Sequence, residues 1–113
     1  MSNQFITSEL LLVDPDLLDL INRFVSRLPG MRDAITKTYD AEDWGLLTNL
    51  VHQMKGVGGN YGYPALTNVC FSIEELLKEK NFENIKNELD EFNVICEKIL
   101  AGSDENHKIA SQS

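Results

Sequence analysis

The sequence predicts an all-α fold, an antiparallel four-helix bundle with a short additional N-terminal helix. Apolar residues recur at helical spacing nearly throughout, and no alternating strand pattern interrupts them. Prolines and glycines divide the chain into segments joined by short connections. Each long segment carries one apolar stripe and must bury that face against its neighbours, as helices of a bundle do.

The elements follow in order. Leu10-Leu11-Leu12-Val13 is apolar, and residues 1–12 are expected to add a short helix or an extended cover. Asp14-Pro15-Asp16 opens the first long helix, with Asp14 as cap and Pro15 at the first helical position. Leu17, Leu18, Ile21, Phe24, Val25 and Leu28 form its stripe. Pro29-Gly30 is predicted to end it. A second helix then carries Met31, Ile35 and Tyr39 on one side, with Arg32, Lys37 and Asp40 around them.

Asp43 caps a third helix that runs through His52 to near Gly59. Asn60-Tyr61-Gly62 makes a turn, and Pro64 suits the first turn of a fourth helix. Leu66, Val69, Cys70, Ile73, Leu76 and Leu77 are its stripe. Asn81 is the next break and cap. The last helix bears Ile85, Leu89, Phe92, Cys96 and Ile99, and Gly102 ends it. The last four helices make the bundle, or two long hairpins carry the shorter helices on their ends. Residues 1–101 read as one domain and residues 102–113 as a polar, disordered tail.

Composition narrows the function. A chain of 113 residues, 42% apolar, builds one core and not two. Its net charge of −8 argues against nucleic acid and against anionic membranes, both of which select basic patches. No apolar run approaches the roughly 18–20 residues of a membrane span. The start, Met1-Ser2-Asn3-Gln4-Phe5, does not read as a secretory signal. Cys70 and Cys96 fall in apolar helical patterns without CxxC spacing and read as buried, reduced thiols of a cytoplasmic protein. Met1 and the polar tail favour a free-standing protein.

The third helix divides into two faces. Leu47, Leu50, Val51, Met54 and Val57 form the buried stripe, with Leu46 at its edge. Gly45, Thr48, Asn49, His52, Lys55, Gly56 and Gly59 fall opposite, with no large apolar side chain among them. His52 is therefore exposed. Lys55 and Gly56, three and four residues on, share its face. A helical glycine costs about 1 kcal/mol relative to alanine, so Gly56, Gly58 and Gly59 together cost on the order of 2–3 kcal/mol. That is large beside a domain stability of roughly 5–15 kcal/mol. Gly58, near the buried side, lets the next helix approach. Gly56, on the exposed side, leaves the imidazole open, because a larger side chain there would lean over the ring.

An imidazole, a cation and cleared space together suit a phosphoryl group. A neutral imidazole is a nucleophile near neutral pH. One nitrogen attacks phosphorus while the other carries the proton, and an acceptor on the second nitrogen fixes the tautomer. Glu74, on the adjacent helix, is the candidate acceptor, and Lys55 would stabilise charge on the phosphoryl oxygens. The chain has no P-loop or glycine-rich nucleotide fingerprint, so a phosphate on His52 must come from another protein. No ligand cluster suggests a metal, and His107 lies in the polar tail without a role.

The run His52-Gln53-Met54-Lys55-Gly56, followed by Gly62, resembles the histidine-containing phosphotransfer (HPt) domains of multistep phosphorelays. The resemblance covers about residues 10–101. It implies a four-helix bundle with a phosphorylatable histidine, here His52, and the roles argued above for Lys55, Gly56 and Glu74. It implies partner binding through Thr48, Asn49, His52, Lys55, Gly56 and Gly59. The partners would be receiver domains of response regulators or hybrid histidine kinases, which hold an aspartyl phosphate and Mg²⁺. The chain itself would bind no cofactor and no metal, and would act as a monomeric, stoichiometric carrier more than an enzyme. Val57-Gly58-Gly59 and Gly62-Tyr63-Pro64 depart from the small residues and the Gly-Ala or Gly-Leu turn common in the family. Val57 stands where histidine-kinase dimerisation helices usually carry proline. Two other classes compete. One is a helical adaptor that binds a receiver without accepting phosphate. The other is a metal or small-molecule bundle, which the almost wholly apolar stripes disfavour.

Overall fold

The computed structural model describes residues 4–111. Two 3₁₀ turns, Glu9–Leu12 and Pro15–Leu17, lead into helix α1, Leu18–Asp40. Helices α2 (Trp44–Asn60), α3 (Pro64–Lys78) and α4 (Ile85–Ala101) follow, with a 3₁₀ turn at Phe82–Asn84, and α5 (Ser103–Ser111) closes the chain. Helices α1 to α4 pack in a closed cycle, α1 on α2, α2 on α3, α3 on α4, and α4 on α1. This is the expected antiparallel bundle, and the expected N-terminal helix is present as the first 3₁₀ turn. The core is the sum of the predicted stripes, including Ile21, Phe24, Leu28, Leu47, Val51, Leu66, Ile73, Phe92 and Ile99.

Asp14 caps the second 3₁₀ turn by accepting from the Asp16 amide at 2.9 Å, with Pro15 at its first position. Asp43 caps α2 by accepting from the Leu46 amide at 3.2 Å. Pro64 begins α3. Gly102 caps α4.

Pro29-Gly30 does not break the chain; both lie inside α1. Proline removes the amide that would bond the Val25 carbonyl, at a cost of about 3 kcal/mol, and glycine adds about 1 kcal/mol. Against this, the buried stripe continues past the pair through Ile35 and Thr38, with Met31 and Tyr39 packed on the core. A buried aliphatic side chain contributes about 1.5–3 kcal/mol. Continuing the helix therefore outweighs the local preference.

The polar tail is the second difference. Residues 103–111 form α5, and Asn106 is fully buried. Its carboxamide oxygen accepts from the Ser8 amide at 3.1 Å and its nitrogen donates to the Tyr63 hydroxyl at 3.3 Å. A single buried polar residue thus anchors a helix that composition alone marks as solvated. His107, on the same helix, contacts the Ser103 carbonyl at 3.0 Å and Asn22 at 3.5 Å, and is exposed. Residues 112 and 113 of the tail, and Met1, Ser2 and Asn3 at the start of the N-terminal cover, lie outside the described residues.

Ser8, Gly62 and Asn106 lock the bundle end that carries the α2–α3 turn. The Ser8 hydroxyl donates to the Tyr61 carbonyl at 2.5 Å, and the Glu9 amide donates to the Gly62 carbonyl at 2.9 Å. Gly62 has φ +81°, and a Cβ there would stand 2.6 Å from the Ser8 hydroxyl oxygen. Phe24 of α1 stacks on Tyr61 at 4.8 Å. At the opposite end Trp44 stacks on Phe82 at 4.3 Å. Among the described residues no helix is long and apolar enough to cross a membrane.

Replacing Asn106 with alanine strands the Ser8 amide and the Tyr63 hydroxyl in a dry site. The expected loss is about 1–3 kcal/mol of unfolding free energy. It is read as a lower urea midpoint with an unchanged slope.

Candidate functional site

The outer face of α2 is arranged largely as its periodicity predicts. Leu47, Val51 and Met54 are buried, and Leu50 and Val57 are half-buried. Gly45, Asn49, His52, Gly56 and Gly59 are exposed. Thr48 and Lys55 are half-buried at the edge toward α3, and the Thr48 hydroxyl donates back to the Trp44 carbonyl at 2.8 Å. The His52 side chain is 66% exposed.

Glu74 brings the site together. It lies on α3 between the buried positions Ile73 and Leu77 and is itself buried. One carboxylate oxygen stands 2.7 Å from His52 Nδ1. The other accepts from the Lys55 ammonium at 2.5 Å. With the carboxylate as acceptor, Nδ1 carries the proton, and Nε2 is the ring nitrogen with a free lone pair. Hydrogen bonding from Lys55 is the largest influence that holds the Glu74 carboxyl below the usual carboxylate range; burial opposes it, and the His52 contact adds to the lowering. The carboxylate is therefore ionised, and its two partners offset the cost of burying it.

Gly58 explains how α2 and α3 come close enough. A Cβ at this position would stand 2.7 Å from the Thr67 hydroxyl oxygen and 2.9 Å from the Thr67 amide nitrogen. Thr67 uses the same proximity to donate to the Lys55 carbonyl at 2.8 Å. Gly56 differs, since a Cβ there meets nothing within 4 Å. Among the described residues no packing requires that glycine.

Two features escape a reading by periodicity. Phe71, one turn before Glu74 on α3, is 52% exposed, and its ring centre lies 5.7 Å from the Lys55 nitrogen. A groove of about 440 Å³ runs between α1 and α2 on the other flank of His52, lined by Arg27, Gly30, Met31, Leu50, Gln53 and Val57 among others. The spacing of Phe71 and Glu74, i and i+3, was the available signal for the first. For the groove there was none, because the sequence placed a break at Gly30.

Cys70 and Cys96 are buried free thiols, and burial pushes both up to about 12. They are inert packing groups at neutral pH. Among the described residues no group of three His, Cys, Asp or Glu side chains is placed to hold a metal ion.

The sequence model of the Hpt domain matches residues 19–102, and the chain belongs to that family. No curated protein and no solved structure matches it. Domains of this family are phosphocarriers that serve phosphorelays and partner receiver domains.

Gly56 and Gly58 separate by stability. Gly56→Ala is expected to raise the unfolding free energy by up to about 1 kcal/mol. Gly58→Ala is expected to lower it, because the new Cβ meets Thr67; paired denaturation curves read both. Glu74 gives a pH signature. Its lowered folded-state value means its contribution is complete above the usual carboxylate range and is lost as pH falls through the lowered value. Glu74→Gln is expected to flatten that acid limb in thermal melts across a pH series.

Proposed function

We propose that the chain is a histidine phosphotransfer protein of a multistep phosphorelay, carrying a phosphoryl group on His52 to and from receiver-domain aspartates. What supports this most is the contact at 2.7 Å between Nδ1 and a buried carboxylate, on a ring whose side chain is 66% exposed. That contact commits Nδ1 to the protein and leaves Nε2 for phosphorus.

The chemistry follows from these positions. The Nε2 lone pair attacks the phosphorus of an aspartyl phosphate, and the acyl O–P bond breaks with its electron pair returning to the aspartate. Glu74 orients the ring and supports the positive charge it acquires. Lys55, on the same helix face and already half-buried beside the ring, supplies charge for the phosphoryl oxygens. Gly56 keeps the approach clear. Thr48, Asn49 and Gly59 complete the surface offered to the receiver. Mg²⁺ and the remaining catalytic groups belong to the receiver, so this chain binds no cofactor and works as a stoichiometric carrier, monomeric and cytoplasmic.

Incubation with a receiver carrying labelled aspartyl phosphate is expected to yield acid-labile, base-stable label on the chain. His52→Gln is expected to lose it, and Lys55→Ala to slow its appearance by about ten- to a hundred-fold. Label that persists in the His52 variant would refute the assignment. Binding to the receiver without transfer, in the unmodified chain, would identify an adaptor instead.

A further inference from the structure

We propose that the groove between α1 and α2 is a binding site for a small amphiphilic carboxylate, a single apolar chain ending in one carboxylate, with its tail on Met31 and Met54 and its head on Arg27. The inference is independent of His52 and of the chemistry proposed for it.

The groove is open because a side chain is missing. Gly30 lines it, and a Cβ there would meet nothing within 4 Å. Glycine is unfavourable in a helix interior, and Gly30 lies inside α1. Among the described residues no close approach requires it. The space it leaves belongs to a cavity of about 440 Å³, within the roughly 300–1,000 Å³ of sites that hold small molecules. The lining is mostly apolar. Ile35 and Met54 are buried beneath it, and Met31, Leu50 and Val57 are half-buried along its walls. Two of these are methionines, unbranched side chains that adapt to an irregular apolar guest.

The polar groups of the lining select the head. The Ser26 hydroxyl is already used, donating to the Arg23 carbonyl at 2.8 Å. Arg27 is exposed and forms no salt bridge among the described residues, whereas Arg32 on the same helix pairs with Glu97 at 2.8 Å. No acid lies three or four residues to either side of Arg27, and α2 carries none along its length. The lining thus holds one cation and no anion, in a chain of net charge −8. One positive charge matches one carboxylate, which a guanidinium fork holds by two parallel bonds. The Gln53 carboxamide, on the α2 wall, adds an uncharged donor. Charge and apolar surface are also separated along the groove. Phe24, one turn before Arg27, stacks on Tyr61, so Arg27 stands toward the α2–α3 turn. From there the apolar lining runs through Met31 to Ile35. A cation at one end with an apolar run beyond it is the complement of an anionic amphiphile. A cationic one would set like charges together.

The probe is decanoate, added to the whole chain below its micellar concentration and followed by the methyl resonances of Met31 and Met54 and the amides of Gly30, Gln53 and Val57. Saturable shifts confined to these positions are expected, with a Kd of about 1 mM or tighter. Arg27→Ala is expected to weaken decanoate about fivefold, and Arg27→Lys to restore part of that loss. Decyltrimethylammonium, with the same tail and the opposite charge, is expected to bind more weakly than decanoate. Gly30→Leu is expected to fold at least as stably as the unmodified chain, because the space is free and leucine is the better helix former, and to lose measurable decanoate binding. Shifts that are absent or lie elsewhere would overturn the proposal, and that measurement needs no variant. So would decanoate binding that is unchanged in Arg27→Ala or in Gly30→Leu, or that decyltrimethylammonium matches. A ligand-free dimer in sedimentation that Gly30→Leu dissociates would give the groove to a second copy of the chain and overturn it as well.

Discussion

A carboxylate buried between two helices and shared by two side chains sets the terms for this site. An ionised group taken out of water costs several kcal/mol unless it is paired and hydrogen-bonded. Glu74 meets that demand only if His52 and Lys55 both reach it from α2. They stand three residues apart on one face of one helix, so both reach a single point on α3 only when the helices keep one register and one separation. The separation depends on Gly58, where even a methyl group would collide with Thr67. The register is secured locally by the Thr67 hydroxyl on the Lys55 carbonyl. The geometry of the imidazole is thus a consequence of how α2 and α3 pack.

Ser8 and Glu9, before the bundle, and Asn106, after it, bear on the same region. The α2–α3 turn is held by the Ser8 hydroxyl, by the Glu9 amide on Gly62, and by Tyr63, whose hydroxyl accepts from Asn106 of α5. Burial keeps the Tyr63 phenol above its ordinary value, so it stays protonated at neutral pH. Segments near residues 8 and 106, remote in sequence from the site, fix the end of the hairpin on which it sits. Looseness at that end would transmit to the helix pair, since interiors packed to crystal density do not deform independently.

The sequence was legible where one physical term dominated. Periodicity alone separated the two faces of α2 and placed His52, Gly56 and Gly59 outward, because burial of Leu47, Val51 and Met54 leaves the helix no rotational freedom. It failed where local and tertiary terms opposed each other. Pro29 and Gly30 are strong local breakers, yet Ile35 and Thr38 continue the buried stripe, and the helix runs on. Residues 103–111 are polar on average, and their order hangs largely on one carboxamide whose partners lie about 40 and 100 residues away. No local pattern encodes such a contact. Glu74 was intermediate: its proximity to His52 followed from the helix pairing, but its burial and its double use did not, because a charged residue beside a stripe usually reads as solvated.

The two helical glycines at 56 and 58 show how requirements of the fold can be told apart from requirements of its surface. Both cost helix stability by the same backbone-entropy argument, about 1 kcal/mol each. At 58 the expense is offset inside the molecule by the close approach of α3. At 56 a Cβ would meet open space, and nothing among the described residues offsets it. A cost with no return among the described residues belongs to the surface and not to the packing of the fold. Gly56 lies one turn from His52 on the face where the ring is exposed, so the space it leaves is beside the imidazole. A groove between α1 and α2 is lined by Arg27, Met31, Leu50, Gln53 and Val57 among others. The chain thus holds the imidazole on one side, through Glu74, and leaves its other side open.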